Sequence, residues 1–371
     1  MSKKILYIAN VDWFFVSHRL NLAEEALNRG YEVHIAAQFI NHYESLEKKK
    51  FKVYKLPFKR SKSLLSFHNE IISFFKIFYL YLTIKPEIVH LISLKPSLYG
   101  GLLSIFFNKL KVVISITGTG FVFNSSKKFG SLIQKVLISC FKTIFNKESV
   151  KVIFQNSENI NYFKSHGVLF ANKPYLIKGS GIDLGKFTST KEPKEVFNVM
   201  MISRLLKDKG VYEFIEAAKI LKSLDSKINM ILVGDLDENP MSILHTELED
   251  WIKKDIIDWW GYREDIPFVM SHSNLICLPS YHEGFPKVLM EAAASARAVI
   301  TTDVPGCRDA LIPNKTGLLV KKGSIKELAD SIKFLKENKS LRLQMAKNGR
   351  ELAKNNFDIN LVTKKHFEIY Q

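Results

Sequence analysis

Two carboxylates and a glycine turn follow a short apolar run late in the 371-residue chain. The apolar run over 275–278 predicts a buried strand, and Glu283-Gly284-Phe285-Pro286 predicts a turn that leads into a helix. Backbone amides of Gly284 and Phe285 would then be donors for an anion at the helix start. Glu291 lies at most roughly 12 Å further along the helix, about the distance from a donor sugar to a nucleotide ribose. The pattern indicates a nucleotide-sugar site with one carboxylate for each set of hydroxyls.

The helix after this turn has an apolar face. Its members are Val288, Leu289, Ala292, Ala293 and Ala296. Because a helix packs its apolar side against the core, Glu291 on the other side is predicted to point into a cleft or into solvent.

The segment Pro279-Ser-x-x-Glu283-Gly-Phe-Pro followed by Glu291 resembles the E-x7-E signature of the family 4 retaining glycosyltransferases. The resemblance implies a GT-B fold, an α/β architecture of two doubly wound Rossmann-like domains facing a cleft. It further implies that Glu283 orients the donor sugar, that Glu291 holds the ribose, and that the Gly284 and Phe285 amides contact the departing diphosphate.

Two more segments extend the resemblance. Arg204 and Lys209 match the family's Arg and Lys that embrace the donor diphosphate, and two cations at a helix start suit that developing charge. Backbone groups near Tyr262 and Arg263 correspond to the nucleobase pocket. The predicted catalytic set is therefore Glu283, Arg204 and Lys209, and the donor-binding set is Glu291, Gly284, Phe285, Tyr262 and Arg263.

Strand and helix signals alternate along the whole chain, which predicts parallel, doubly wound sheets. We expect an acceptor-binding domain over 1–190 that is completed by segment 357–371, and a nucleotide-sugar domain over 191–356. The polar stretch 185–195 is interpreted as the linker. After the first strand, no Gly-x-Gly-x-x-Gly follows, which argues against a dinucleotide oxidoreductase.

The first half offers weaker acceptor or cleft candidates. His18 and Arg19 are predicted at a helix start, where they would meet a phosphate or acceptor, or else pack on their own turn. Thr117, Gly118 and Gly120 follow a predicted strand, where backbone can approach a ligand. Many family members carry a histidine near the position of Thr117, and this sequence has none, so the identity of a catalytic base stays open.

Metal and thiol chemistry are not expected. Asp235-Leu-Asp237 has the Asp-x-Asp form of metal-dependent glycosyltransferases, but it falls inside a second βα repeat and is interpreted as a turn. Cys140, Cys277 and Cys307 lack metal or disulfide spacing, which favours a reduced, cytosolic protein. We expect no metal and no cofactor, with a UDP-sugar as donor substrate.

Positive charge is concentrated in the first half. Residues 1–190 hold 27 Lys and Arg against 11 Asp and Glu, whereas residues 191–371 hold 27 against 26. Such a bias indicates an anionic partner, a membrane surface or a nucleic acid. Three stretches mix bulky apolar residues with lysines: the aromatic stretch 64–84, which is preceded by Lys59, Arg60 and Lys62, and stretches 98–110 and 132–145. Each stretch alone is better interpreted as a core-facing helix. Taken together, they favour a membrane-interfacial face on this half of the chain.

Asp237-Glu-Asn-Pro240 and Glu283-Gly-Phe-Pro286 place the resemblance near enzymes that add a hexosamine to polyprenyl-diphosphate-linked sugars. The resemblance thus implies a retaining, metal-independent transferase that moves a sugar, an N-acetylhexosamine, from UDP to a polyprenyl-diphosphate-linked glycan. It is expected to be peripheral on the cytoplasmic face of the cell membrane, with an anionic membrane surface and no nucleic acid as partner. Two alternatives stay open: a transferase with a soluble acceptor, and a basic nucleic-acid-binding protein on the same fold, for which aromatics interleave with lysines in 59–84. Donor sugar, linkage and oligomeric state are not read from the chain.

Overall fold

The computed structural model describes residues 3–58, 65–118, 128–224 and 227–371, and the chain divides into two compact units. Unit 1 comprises residues 1–180 and 362–371, and unit 2 comprises residues 181–361. Each unit is built on its own parallel sheet.

Unit 1 contains a seven-stranded sheet with strand order β3-β2-β1-β4-β5-β6-β7. Its strands are β1 Lys4–Val11, β2 Glu32–Gln38, β3 Lys52–Lys55, β4 Ile88–Ile92, β5 Lys111–Ile116, β6 Val150–Phe154 and β7 Tyr175–Leu176. The central strands are continuous apolar runs because both faces of the sheet are covered. Along β1, Leu6 and Ile8 enter one hydrophobic cluster while Ile5 and Tyr7 enter another.

The helices of unit 1 supply these two clusters. They are α1 Asp12–Asn28, α2 Tyr43–Lys48, α3 Leu65–Ile84, α4 Leu94–Ser104, α5 Lys128–Phe145 and α6 Ser157–Ser165. The face of α3 that carries Ile77, Leu80 and Tyr81 is buried in the cluster with Leu6, as expected for a helix covering a sheet. Phe75 and Tyr79, on another face of α3, are exposed.

Unit 2 contains a six-stranded sheet with strand order β10-β9-β8-β11-β12-β13. Its strands are β8 Phe197–Ile202, β9 Ile228–Val233, β10 Asp258–Trp259, β11 Leu275–Leu278, β12 Ala298–Thr302 and β13 Gly317–Val320. Its helices are α7 Val211–Leu224, α8 His245–Lys253, α9 Ile266–Ser271, α10 Lys287–Ala294, α11 Ile325–Glu337 and α12 Lys339–Asn356, after which α13 Ile359–Tyr370 leads into unit 1.

Both sheets have the doubly wound topology predicted from the sequence. In each, the first strand lies between the second and the fourth, so the direction of winding reverses beside β1 in unit 1 and beside β8 in unit 2. Ligands of such sheets bind outside the carboxyl ends of the strands at this reversal. A ligand site is therefore expected at the loops that follow β8, β9 and β11.

The boundary between the units differs from the predicted one. Segment 181–190, predicted as part of the first domain and the linker, belongs to unit 2 because Phe187 is buried in its core and Ile182 pairs with Asp358. Residues 357–361 also lie in unit 2, where Phe357 is buried against Phe285, with ring centroids 5.6 Å apart. Polar composition alone does not reveal these two apolar anchors.

Candidate active site

Lys209 and Glu283 form an ion pair at the carboxyl edge of the unit 2 sheet. Lys209 ends a short 3₁₀ turn, Lys207–Lys209, that follows β8, and Glu283 lies in the loop that follows β11. Lys209 Nζ donates to Glu283 Oε1 at 2.6 Å, and the two side chains are only 17% and 13% exposed. The structure thus brings together two of the three residues predicted to be catalytic.

Glycines let the loops around this pair approach one another. Gly210 has φ +82°, and a Cβ on it would lie 2.1 Å from the carbonyl oxygen of Pro279. Gly306 has φ +79°, and a Cβ there would lie 2.6 Å and 2.5 Å from the carbonyl oxygens of Glu283 and Gly284. Any side chain at these positions would push the Glu283 loop away from Lys209, so the glycines fix the position of the pair.

Arg204 lies in the same β8 loop and contacts the loop after β9. Its Nη1 donates to Asp237 Oδ2 at 2.9 Å, and the Arg204 side chain remains 42% exposed. Gly234 permits this contact, because a Cβ on it would lie 1.8 Å from the carbonyl oxygen of Ser203. Arg204 is therefore held at the sheet edge with a partly open guanidinium, which suits a residue that meets an anionic ligand.

The Asp-x-Asp segment forms the predicted turn. The Asp237 carboxylate accepts the backbone N–H of Asn239 at 2.9 Å as well as the Arg204 hydrogen bond. The Asp235 carboxylate accepts the N–H of Leu236 at 2.8 Å. Within the described ranges, no group of three or more His, Cys, Asp or Glu side chains is arranged to hold a metal ion.

Glu291 is buried, so the solvent-facing alternative predicted for it is wrong. It lies in α10, which follows Pro286, and every residue from Val288 to Ala294 in this helix is buried. The helix α12 packs on the predicted apolar face of α10, with the Gly349 Cβ position 3.6 Å from Ala293 Cα. The burial of α10 also extends to the other side, where Glu291 is 6% exposed. Burial raises the Glu291 pKa, and Lys287, whose Nζ lies 3.5 Å away, opposes that shift.

We expect Glu291→Gln to stabilise unit 2 at neutral pH. A carboxyl whose pKa is raised by folding binds its proton more tightly in the native state, so ionised Glu291 costs stability above that raised pKa. Below the ordinary glutamic acid pKa of about 4.3 the difference should vanish. Thermal unfolding from pH 4 to pH 8 measures this, and a constant difference across the range would contradict it.

The predicted nucleobase segment is anchored to the same edge. Gly234 N donates to the carbonyl oxygen of Gly261 at 2.8 Å, and Trp259 Nε1 donates to the carbonyl oxygen of Gly234 at 2.8 Å. Arg263 is paired with Asp265, and Tyr262 is exposed. The backbone of this segment, rather than the Arg263 charge, is therefore what the geometry offers to a ligand.

In unit 1 the predicted helix start at His18 and Arg19 is wrong. The helix α1 begins at Asp12, so both residues lie in its second turn. The Asp12 carboxylate organises the start by accepting the backbone N–H groups of Trp13, Ile40, Asn41 and His42. Burial raises its pKa, but these four hydrogen bonds outweigh burial and the net pKa is lowered.

His18 and Arg19 take different positions. The His18 ring stacks on Phe14 with ring centroids 4.2 Å apart, which agrees with packing on its own turn. Arg19 is 1% exposed and donates to the carbonyl oxygen of His18 at 2.9 Å. Burial lowers the Arg19 pKa to about 10, with Tyr370 and Tyr7 opposing the shift. Arg19 is thus part of the core of unit 1 and is not positioned to meet an acceptor.

Thr117 and Gly118 follow β5 at the carboxyl edge of the unit 1 sheet, as predicted, and Gly120 lies outside the described residues. Thr117 Oγ1 lies 3.4 Å from Ser93 Oγ, and Ser93 has φ +77° directly after β4. Lys95, at the start of α4 on the same edge, pairs with Glu70 of α3. The sequence analysis did not name Ser93 or Lys95 as site residues. Their position directly after an apolar strand is the sequence feature that could have indicated them.

His90 is not the missing base. It lies within β4, fully buried, where Nδ1 bonds the Tyr370 hydroxyl at 2.7 Å and Nε2 bonds Ser115 Oγ at 2.7 Å. Burial and the nearby His366 and Arg19 lower its pKa. A histidine held on both nitrogens inside the sheet supports the fold.

Family models match both halves of the chain. Residues 4–156 match the model described as glycosyl transferase 4-like, and residues 186–352 match the model described as glycosyl transferases group 1. The first region contains β1 to β6 of the unit 1 sheet, and the second contains the whole unit 2 sheet.

Known proteins of this type resemble the chain. N,N'-diacetylbacillosaminyl-diphospho-undecaprenol alpha-1,3-N-acetylgalactosaminyltransferase of Campylobacter jejuni is 35% identical over 253 residues, which span 65% of this chain and 65% of that protein. UDP-Gal:alpha-D-GlcNAc-diphosphoundecaprenol alpha-1,3-galactosyltransferase of Escherichia coli is 26% identical over 74% of this chain and 72% of that protein. The structure of sucrose-phosphate synthase from Thermosynechococcus elongatus superposes with a TM-score of 0.79 at 18% identity, covering 99% and 98% of the two chains.

The structural likeness establishes the fold, and the family matches over both sheets establish the ancestry. The chain belongs to the family 4-type glycosyltransferases of the GT-B fold.

Proposed function

We propose that the protein is a retaining, metal-independent glycosyltransferase that moves an N-acetylhexosamine from UDP to a polyprenyl-diphosphate-linked glycan. The observation that carries the proposal is the Lys209–Glu283 pair at 2.6 Å on the loops that follow β8 and β11, with Arg204 in the same β8 loop. A carboxylate that can hold sugar hydroxyls and cations that can hold a diphosphate occupy one sheet edge. The names of the Campylobacter and Escherichia relatives support the lipid-linked acceptor, and the latter supports UDP.

The chemistry asks mainly for charge stabilisation. The bond from the sugar C1 to the diphosphate oxygen breaks, a bond from C1 to the acceptor hydroxyl forms on the same face, and the hydroxyl proton passes to a diphosphate oxygen. Lys209, Arg204 and the backbone amides of Gly284 and Phe285 stabilise the negative charge that develops on the diphosphate. Glu283 orients the donor sugar, and buried Glu291 accepts hydrogen bonds from the ribose.

Transfer should survive excess chelator. Both carboxylates of the Asp235-Leu-Asp237 turn already accept backbone hydrogen bonds, and Asp237 also pairs with Arg204. Lys and Arg then take the neutralising role that a divalent cation has in metal-dependent transferases. The measurement is product formation with and without EDTA. Loss of activity in EDTA that Mn²⁺ restores would overturn this part of the proposal.

The donor specificity is tested with a panel of UDP- and GDP-sugars. The release of nucleoside diphosphate is measured with and without a polyprenyl-diphosphate-linked sugar. We expect UDP release that depends on the acceptor. Release from GDP-sugars alone would contradict the assignment of a uridine nucleotide.

A membrane-facing surface on unit 1 accounts for the lipid-linked acceptor. An apolar stripe of Ile71, Phe75, Tyr79 and Leu82 runs along the exposed side of α3, and Leu132 and Val136 are exposed on α5. The excess of Lys and Arg in residues 1–190 gives this unit a charge complementary to anionic lipid. In the described part of the chain, no helix is both long enough and apolar enough to span a bilayer. On the basis of the apolar stripe and the positive charge of unit 1, we propose peripheral attachment at the inner face of the cell membrane, and no nucleic-acid partner.

We expect Phe75→Ser to weaken binding to anionic liposomes, because an exposed aromatic ring inserts into the interface independently of salt. High salt should release only part of the protein, since it screens the lysines over about 8–10 Å but leaves apolar contacts intact. Flotation with anionic and with neutral liposomes measures both effects.

The matched control is Phe334→Ser, which removes an exposed phenylalanine from unit 2. It should float like the wild type. Equal binding of the wild type to both liposome types, or to neither, would favour the soluble-acceptor alternative.

A further inference from the structure

A cavity of about 610 Å³ lies in unit 2 at the end of the sheet opposite the proposed donor site. Its lining includes Phe197 at the start of β8, Asn274 just before β11 and Arg297 just before β12. These are the amino ends of strands whose carboxyl ends lead to Arg204, Lys209 and Glu283. The cavity is therefore separated from the donor loops by the length of the strands, and its size is in the range of small-ligand sites.

The lining is strongly basic. Nine Lys and Arg residues and three Glu residues contribute to it among the described residues. Two of the three carboxylates are already neutralised: Glu192 is paired with Arg342 at 2.8 Å, and Glu351 is paired with Lys354 at 2.7 Å. Most of the positive charge that surrounds the cavity is thus not offset by the acidic residues in its wall.

Buried Arg297 forms a fixed part of this charge. It is 1% exposed, and its guanidinium donates to the carbonyl oxygens of Ser273 at 2.7 Å and Thr190 at 2.9 Å, and to Thr190 Oγ1 at 2.7 Å. These neutral acceptors satisfy its hydrogen bonds but carry no formal negative charge. Burial lowers the Arg297 pKa, and the charge of the Glu192 carboxylate opposes that shift. A charge held in a low-dielectric wall projects its field into the cavity beside it.

Lysines at the mouth supply mobile donors. Lys339 and Lys347 lie on the face of α12 that lines the cavity, and Lys191 and Lys194 lie on the facing segment before β8. All four are exposed. An ammonium on a flexible stem is a common ligand for phosphate oxygens, since it needs no fixed fork geometry.

We propose that this cavity binds a phosphate-bearing anion at a site separate from the donor loops. The lysines of α12 and of the facing segment contact the phosphate oxygens, and buried Arg297 provides a rigid, positively charged wall behind them. The ligand is a soluble phosphorylated compound or the phosphate of an anionic lipid headgroup. The proposal does not depend on the identity of the transferred sugar.

The test measures the reactivity of individual lysine amines toward an acetylating reagent, read by mass spectrometry. Each arm is run with and without saturating UDP, so that binding at the donor site is separated from binding in this cavity. Inorganic diphosphate is added in one arm, and phosphatidylcholine vesicles with or without phosphatidylglycerol are added in the others. We expect acetylation of Lys339 and Lys347 to slow at least about tenfold, as for sites that are largely occupied. Lys253 and Lys326, exposed elsewhere on unit 2, should react as before.

The variant Lys339→Glu/Lys347→Glu should abolish the protection of Lys191 and Lys194, whereas Lys253→Glu/Lys326→Glu, with the same change in net charge, should retain it. Protection by diphosphate assigns a soluble ligand, and protection by phosphatidylglycerol vesicles alone assigns a lipid headgroup. The proposal would be overturned if Lys339 and Lys347 reacted equally in all arms, or if they were protected no more than Lys253 and Lys326. UDP binding measured in the same variants should be unchanged, so a failure of the donor site is seen separately.

Discussion

Replacing Lys209 by alanine is expected to lower kcat by about 10²–10³-fold, equivalent to about 2.7–4 kcal/mol of lost transition-state stabilisation. Lys209 Nζ lies 2.6 Å from Glu283 Oε1, and both side chains are mostly buried. Solvent therefore screens the charge of Lys209 only weakly. The negative charge of the diphosphate is largest as the bond to the sugar breaks. The effect should therefore appear in kcat more than in KM.

Lys207→Ala is the matched control. Lys207 belongs to the same 3₁₀ turn, but its ammonium lies 5.7 Å from the centre of the Tyr212 ring and its side chain is exposed. It should keep nearly the wild-type rate. Arg204→Ala should lower kcat by one to three orders of magnitude, an effect between those of Lys207→Ala and Lys209→Ala. The reason is that the Arg204 guanidinium is more exposed than Lys209 and also binds Asp237. Wild-type kinetics in both Lys209→Ala and Arg204→Ala would remove these residues from the site.

Replacing Glu192 by alanine is expected to destabilise unit 2 by about 3–5 kcal/mol. The Arg342–Glu192 pair is buried, with side chains only 4% and 7% exposed and two hydrogen bonds of 3.1 Å and 2.8 Å. Removing the carboxylate leaves the guanidinium buried without its counter-charge, which costs far more than the pair itself contributes. Urea unfolding followed by tryptophan fluorescence reports on unit 2, because three of the four tryptophans, Trp251, Trp259 and Trp260, lie there.

Two controls separate this effect from a general loss of charge. Glu351→Ala breaks an exposed pair with Lys354 and should cost less than about 1 kcal/mol. Adding Arg342→Met to Glu192→Ala removes the stranded charge and should recover most of the lost stability. A loss in Glu192→Ala no larger than in Glu351→Ala would show that the buried pair is not important to the fold.

The fold was predictable because its signals are local. Most strands are apolar runs followed by a turn residue and a helix, although the edge strands β3 (Lys52–Lys55) and β10 (Asp258–Trp259) are not. A doubly wound sheet repeats that unit with few alternatives. The strand and helix predicted around Glu283 match β11 and α10 for the same reason, because Pro279 ends the strand and Gly284 and Pro286 precede the helix.

The contacts inside the site were harder to predict, because they join loops far apart in the chain. The sequence displays Gly210, Gly234 and Gly306, but it does not say that each lies against the backbone of another loop. The burial of Glu291 was missed for a similar reason: the helical wheel predicted one packed face of α10, whereas every residue from Val288 to Ala294 is buried.

Buried arginines were also hard to foresee. The sequence gives no sign that Arg19 and Arg297 lie in the core, since a charged side chain is rarely buried without a carboxylate. Here backbone carbonyl oxygens take that role, for example those of His18 and Ser273. A segment that is polar in composition, such as 185–195, is therefore held to unit 2 by hydrogen bonds from arginines. No residue pattern in the sequence predicts these hydrogen bonds.

The central claim is transfer of a sugar from UDP to a lipid-linked acceptor, and the mass of the product tests it most directly. The protein is incubated with a UDP-N-acetylhexosamine, a polyprenyl-diphosphate-linked sugar and EDTA, and the lipid fraction is measured by mass spectrometry. We predict that the acceptor gains the mass of one N-acetylhexosamine residue in the wild type and in Lys207→Ala, and gains far less in Lys209→Ala. An unchanged lipid together with a glycosylated soluble sugar would contradict the account.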